Sequence, residues 1–338
     1  MAYSSENGFM VIDLRAAKRG FTLIELSIVL VIIGLIAGGV LVGRDLISAA
    51  AIRAQISQVE KYSAAVNTFR SKYGYLPGDI PDPAAQQYGF LPRGTDCGGN
   101  PCPGEGDGNG IIEGIQGISP GDYYFNYTAA FAGESAMVWV DLGTAGLIDN
   151  RLTTATPTAT PGLIQGPDVA KYFPAARIDN GNYIAVWSGG YQALAASQGV
   201  VTYAGTGDGQ NYFAIGGFLT NDNPAYGPLA EGVFGPTAIT PVQAYSIDMK
   251  LDDGLPQTGN VTAMNLGGYY TLWSAGGQNS GDFDPTTKGP VVAGDGIATQ
   301  ASDTTCYDNS DVPGGIEQYS IGYKNGEGLN CALSFKFQ

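Results

Sequence analysis

From Phe21 to Gly43 nearly every position is apolar, in the run FTLIELSIVLVIIGLIAGGVLVG. As a helix it spans about 35 Å at ~1.5 Å per residue, enough to cross a membrane. After Gly43 the pattern becomes a stripe. Ile52, Ile56, Val59, Tyr62, Val66, Phe69 and Tyr73 are spaced 4, 3, 3, 4, 3 and 4, the period of one helix face. Between them stand Arg53, Gln55, Gln58, Glu60, Lys61, Asn67, Arg70 and Lys72, residues that suit water or another molecule's surface. Gly74 offers a C-cap and Pro77 a stop. The two patterns predict one helix from about Phe21 to Tyr73, roughly 80 Å long. No proline interrupts it, so Gly34, Gly38, Gly39 and Gly43 are its weak points.

Beyond Gly74 the pattern is mixed. ESAMVWVDLGTAGLID, Glu134 to Asp149, reads as an amphipathic helix with Met137, Val138, Val140, Leu142, Leu147 and Ile148 as its buried side. TPVQAYSIDMKLDDGLPQTGNV begins with Thr240 as N-cap and Pro241 at the first helical position, and stops at Gly254 and Pro256. Runs at 182–189, 199–205, 211–219 and 269–276 cluster Val, Ile, Tyr and Trp between glycine and asparagine turns, as antiparallel strands do. TTATPTATPG, Thr153 to Gly162, reads as an exposed loop and a conceivable O-glycosylation segment. The expected class is α+β, a long N-terminal helix on a predominantly antiparallel sheet with large loop insertions.

Composition sharpens this picture. The 338 residues hold 16 Lys and Arg, 31 Asp and Glu and no histidine, a formal charge of −15. A domain this acidic is not expected to bind nucleic acid, whose phosphates need a basic surface. The chain as a whole holds 51 Gly and 20 Tyr, and the part after residue 74 is loop-rich yet able to bury a core. Cys97, Cys102, Cys306 and Cys331 form two sequence-local pairs with no CxxC, so disulfides in an oxidising compartment fit better than zinc.

Arg15, Lys18 and Arg19 precede the apolar run, which places the N-terminus on the cytoplasmic side and the bulk of the chain outside. The run is too long for a cleaved secretory signal. Glu25 sits inside it, and a carboxylate in hydrocarbon costs several kcal/mol unless neutralised. Either Glu25 snorkels to the headgroups or something meets its charge.

Gly20-Phe21-Thr22-Leu23-Ile24-Glu25 resembles the leader site of type IV pilins and type II secretion pseudopilins. The resemblance implies that a prepilin peptidase cuts between Gly20 and Phe21 and methylates the new amine of Phe21. That cation can then pair with Glu25 of a neighbouring subunit, and a charge pair in low dielectric is far less costly than either charge alone. The implied organisation is a leader (1–20), a membrane or filament-core half-helix (21–43), an amphipathic half-helix (44–73) and an extracytoplasmic domain (74–338), the lollipop shape of that family. KYGYLPGD, Lys72 to Asp79, resembles the helix exit of pseudopilins, and the Cys306–Cys331 stretch matches the disulfide-bounded loop of many pilins. The implied partners are other copies in a helical filament, the prepilin peptidase and an inner-membrane assembly platform. The chain would reside in the inner membrane as prepilin, then in an extracellular pilus or periplasmic pseudopilus. Shaft subunit, minor or tip subunit and pseudopilin stay open, as does, outside this class, a monomeric membrane-anchored binding protein.

The acidic loop EGDGNGIIEGIQ is the best candidate for chemistry. Glu105, Asp107 and Asn109 fall at alternate positions with Glu113 near, which suggests a structural calcium ion; Gln116 stands where a calcium loop ends in glutamate. A solvated Asx-turn loop fits the same residues. Asp248, Asp252 and Asp253, near a helix C-terminus, suit a structural role, and GDFDP at Gly281 to Pro285 is a weaker acidic candidate. No catalytic residues are expected, since the chain lacks histidine, GxSxG and a phosphate-binding loop.

Overall fold

The computed structural model describes residues 22–93, 105–112, 133–149, 151–157, 166–178, 181–188, 210–217, 239–263, 283–284, 289–290, 300–301, 305–312, 315–328 and 331–338. The chain divides into two units, residues 1–48 and 49–338. Helix α1, Leu23–Tyr73, contributes to both. It begins two residues later than expected, ends where expected, and stays helical through Gly34, Gly38, Gly39 and Gly43.

In the first unit, the large apolar side chains of α1 from Leu23 to Ile47 are exposed, Leu23 by 87%. Length and composition suit a membrane span. In the second unit the stripe holds. Ile52, Val59, Tyr62, Val66 and Phe69 are buried, with Ile56 and Tyr73 packed against the same core. Gln55 departs from the expected polar face: it is fully buried, for a reason given by its hydrogen bonds below.

After α1, Leu76 to Ile80 run buried into a short helix, α2 (Ala84–Gln87). Helix α3 is Gly133–Thr144. The sequence suggests one apolar side, but every residue from Gly133 to Gly143 is buried, so α3 is a central helix. Trp139 meets Tyr62 edge to face at 5.0 Å between ring centroids and Phe213 at 6.0 Å. A 3-10 turn follows at Gly166–Lys171, and helix α4 spans Pro241–Leu251.

The strands are β1 (Asn182–Ser188), β2 (Asn211–Gly217), β3 (Val261–Thr262), β4 (Phe283–Asp284), β5 (Gly289–Pro290), β6 (Tyr307–Asp308), β7 (Gln318–Tyr319) and β8 (Leu333–Lys336). The main sheet has the order β1-β2-β8-β3 with every pairing antiparallel. Val186 opposes Phe213, Phe213 opposes Phe335, and Phe335 opposes Val261, an apolar row across all four strands. Residues 211–215 are all buried, so this part of β2 is covered on both faces, which is why its sequence is continuous rather than alternating. Strands β4 with β5, and β6 with β7, form two small ladders. The runs at 199–205 and 269–276 lie outside the described residues. Within the Thr/Pro segment, Thr153 and Thr154 are exposed but Ala155 and Pro157 are buried, and the Thr156 carbonyl accepts the N–H of Gly133 at 3.2 Å. That loop is pinned at the start of α3.

Candidate functional site

Two clusters hold most of the residues that the sequence singles out for assembly and for metal binding. The first is the start of α1. The hydroxyl of Thr22 accepts the backbone N–H of Glu25 (3.2 Å), while Glu25 Oε2 accepts the backbone N–H of Thr22 (2.8 Å) and its hydroxyl proton (2.9 Å). This is a reciprocal capping box, T-x-x-E, which satisfies two of the donors left over at a helix start. The pattern was legible in Thr22-Leu23-Ile24-Glu25, and a reading of Glu25 as a charge alone overlooks it. Within a single chain, Glu25 is thus a helix-starting residue whose carboxylate stays exposed. Gly20 and Phe21, the expected processing residues, lie outside the described residues.

The second cluster is the acidic loop. Glycines at every second position, Gly106 (φ 93°), Gly108 (φ 77°) and Gly110 (φ 86°), turn the chain through the left-handed region, and their own amides point at carboxylates from elsewhere. Glu134 Oε1, on α3, accepts from Gly106 N (2.8 Å) and Asp107 N (3.4 Å). Asp79 Oδ1 accepts from Gly108 N (2.7 Å) and its Oδ2 from Gly110 N (2.8 Å). Nearby, Asp141 Oδ2 accepts from Gly78 N (2.7 Å) and pairs with buried Arg93 at 2.6 Å. Asp107 and Asn109 form Asx turns: Asn109 N donates to Asp107 Oδ1 (3.0 Å) and Ile111 N to Asn109 Oδ1 (2.6 Å).

Among the described residues two groups of three carboxylates bring one oxygen of each within 4.8 Å of the others: Asp79, Asp107 and Glu134 here, and Asp248, Asp252 and Asp253 at the end of α4. Asp107 is the one residue shared with the expected set. Glu105, the first residue of the loop, is buried, and Glu113 lies outside the described residues. Sequence reading missed Asp79 and Glu134 because they come from 28 and 27 residues away. Burial, with a smaller contribution from the Asp107 charge, pushes Asp79 up to about 8. Burial also raises Asp107.

Residues 15–41 match the family model of the prokaryotic N-terminal methylation motif. The chain carries the type IV pilin and pseudopilin signature. No curated protein and no solved structure shows a significant match to it.

At the end of α4 in this pilin-signature chain the acidic residues act mainly on the backbone. Asp248 Oδ1 accepts from Gly254 N (3.1 Å) and its Oδ2 from the Tyr319 hydroxyl (2.9 Å). Asp252 Oδ2 accepts from Asn260 N and from Val261 N (3.0 Å), and Asp253 Oδ1 from Leu255 N (2.8 Å). The charge at the end of α4 is therefore met by amides and a phenol, and no ion pair to Lys250 occurs among the described residues. Burial first, and the neighbouring aspartates to a lesser degree, push Asp248 up to about 7. Cys306 and Cys331 form a disulfide with a sequence separation of 25. Cys97 and Cys102 lie outside the described residues; of GDFDP, Phe283–Asp284 form β4. Glu317, which the sequence did not flag, is buried beside β7, and burial followed by the Asp308 charge raises it to about 7.

Proposed function

We propose that this chain is a structural subunit of a type IV pilus-like filament. A prepilin peptidase cuts it between Gly20 and Phe21 and methylates Phe21, and copies then polymerise through α1. One conjunction supports this reading: the methylation motif over residues 15–41 overlaps a helix whose apolar side chains from Leu23 to Ile47 are all exposed. A surface this apolar needs lipid before assembly and other copies afterwards. In the filament the Phe21 amine of one subunit meets Glu25 of the next, where the capping box presents its carboxylate. The assembly platform of the inner membrane is the partner that extracts the processed chain. No catalytic step is assigned to any residue.

Mass spectrometry of filaments sheared from native cells tests the reading. A dominant species beginning at N-methylated Phe21 identifies a shaft subunit, and a trace of it a minor subunit. The same signature serves pseudopilins, so a processed chain found only in the envelope identifies a pseudopilus subunit instead. A chain still carrying residues 1–20 overturns both.

A further inference from the structure

A cleft of about 380 Å³ opens in the second unit between α1, residues 148–149 beyond α3 and residues 175–177 before β1. That volume lies in the range that holds a small molecule. Three charged side chains line it: Lys61, Asp149 and Arg177. Lys61 pairs with Asp149, their side chains being 49% and 88% exposed, so the pair is solvated and both partners keep capacity for further bonds. Two cations against one carboxylate leave the cleft one positive charge, in a chain whose formal charge is −15. Tyr62 reaches the same cleft from the core. It is 6% exposed, and its ring is held by Trp139 at 5.0 Å and Phe213 at 6.1 Å between centroids. Its hydroxyl oxygen accepts from Gln58 Nε2 (3.2 Å), but its hydroxyl proton has no acceptor among the described residues. Burial raises this phenol above its ordinary range, against smaller opposing effects of Gln58, Lys61 and Arg177, so the proton stays on at neutral pH. Gln58 is fixed in turn, since Nε2 also donates to Ala175 O (2.9 Å) and Oε1 accepts from Arg177 N (2.9 Å). The wall that presents the phenol is set before any ligand arrives.

We propose that this cleft is a binding site for a sugar acid, a hydroxylated small molecule with one carboxylate. The single excess positive charge matches a monoanion, and Lys61, Arg177 and the Tyr62 hydroxyl are donors that a carboxylate accepts from. Asp149 and the Ser57 hydroxyl, which line the same cleft, remain for the sugar hydroxyls, groups that donate as well as accept. An aliphatic acid would use the cations alone, and a neutral sugar would leave the excess charge unmet. A carboxylate seated here also gives the buried phenol the acceptor it lacks, a bond that contributes more than one made at the exposed rim. The inference does not rest on the filament reading.

The test titrates the full chain in detergent with sodium glucuronate, followed by saturation-transfer NMR, with glucose and propionate as controls. Glucuronate is expected to bind with a dissociation constant of about 10⁻³ M, the strength open to so small a ligand. Glucose, without the charge, and propionate, without the hydroxyls, should each bind about tenfold more weakly or not at all. Lys61→Gln and Arg177→Gln should each weaken glucuronate about tenfold. Tyr62→Phe keeps the ring in the core and removes only the hydroxyl, so it should weaken glucuronate about fivefold at an unchanged melting temperature. No glucuronate binding at about 20 mM, propionate or glucose binding as tightly as glucuronate, or affinity unchanged in both Lys61→Gln and Arg177→Gln overturns the proposal. Sedimentation of the same samples separates the other source of a carboxylate: self-association that disappears in Lys61→Gln, with no glucuronate bound, overturns the proposal and gives the cleft to an acidic side chain of a second copy.

Discussion

Gln55 Oε1 accepts the backbone N–H of Ile178 at 3.0 Å and that of Arg177 at 2.7 Å, so one uncharged side chain on α1 carries two amides of the segment before β1. Gln58 Oε1 shares the Arg177 amide at 2.9 Å, which leaves Ile178 dependent on Gln55 alone among these two. Replacing Gln55 by leucine keeps the volume and removes the acceptor. The stability of the chain in detergent should fall by about 1–3 kcal/mol, the cost of an unmet buried donor, as read by denaturant unfolding. Gln58→Leu, with its partner still served, should cost less. Equal stability of Gln55→Leu and wild type would show that burial, not acceptance, fixes this position.

Glu25 has two separable duties. A capping box tolerates glutamine at the third position, so Glu25→Gln should leave the helix start intact while removing the charge. If the carboxylate pairs with a neighbour's amine, filament yield in sheared fractions should collapse in Glu25→Gln with cleavage and methylation of Phe21 unchanged. Thr22→Ala breaks the cap but keeps the charge, and should retain filaments. Normal filaments from Glu25→Gln would leave Glu25 with the cap alone.

Asp248 stands at about 7 when folded against its ordinary 3.8. The folded state then binds more protons than the unfolded one between these values, so stability is greatest below pH 4 as far as this group is concerned and declines as pH rises towards 7. Asp79, raised to about 8, extends the decline by roughly another unit. Melting temperatures of the full chain measured in EDTA across pH 4–9 should show the slope, and Asp248→Asn should flatten its part below pH 7. A curve for Asp248→Asn that parallels wild type would refute the assignment.

Gly78 has φ +91°, and a Cβ there would lie 2.5 Å from the carbonyl oxygen of Glu134. Neither the backbone conformation nor the space allows a side chain. Gly78→Ala should therefore destabilise by about 1–3 kcal/mol and loosen the Asp141–Gly78 bond, which proteolysis of the 74–93 segment would detect. Gly74→Ala, also at positive φ but with nothing within 4 Å, should cost less.

The parts of the fold written in local periodicity were legible. The stripe from Ile52 to Tyr73 gave α1, and Thr240 and Pro241 gave the start of α4, whose Thr240 and Gln243 indeed form a capping box. The strand runs at 182–189 and 211–219 gave β1 and β2. What escaped was tertiary. Gln55 looks like any surface glutamine until the segment at 177–178 arrives, more than a hundred residues later. Asp107 looks like half of a calcium loop until Asp79 and Glu134 are brought beside it. Glu134 and Asp141 mark a solvated face by composition, yet backbone donors from distant loops, with the Arg93 guanidinium beside Asp141, let α3 bury both. Periodicity records which side of an element faces apolar neighbours; it does not record which polar group waits there.

The burial of carboxylates also alters how this molecule meets its surroundings. Asp79, Glu105, Glu134, Asp141, Asp248, Asp308 and Glu317 are all buried, whereas Arg93 is the buried base among the described residues. The formal −15 therefore overstates the field that another copy or a membrane feels. Part of that charge is removed by protons on Asp79 and Asp248 near neutrality, where burial holds both carboxyls above their ordinary range. Electrophoretic mobility should be lower than the sequence demands, so identical acidic domains can crowd together at less electrostatic cost than their composition suggests.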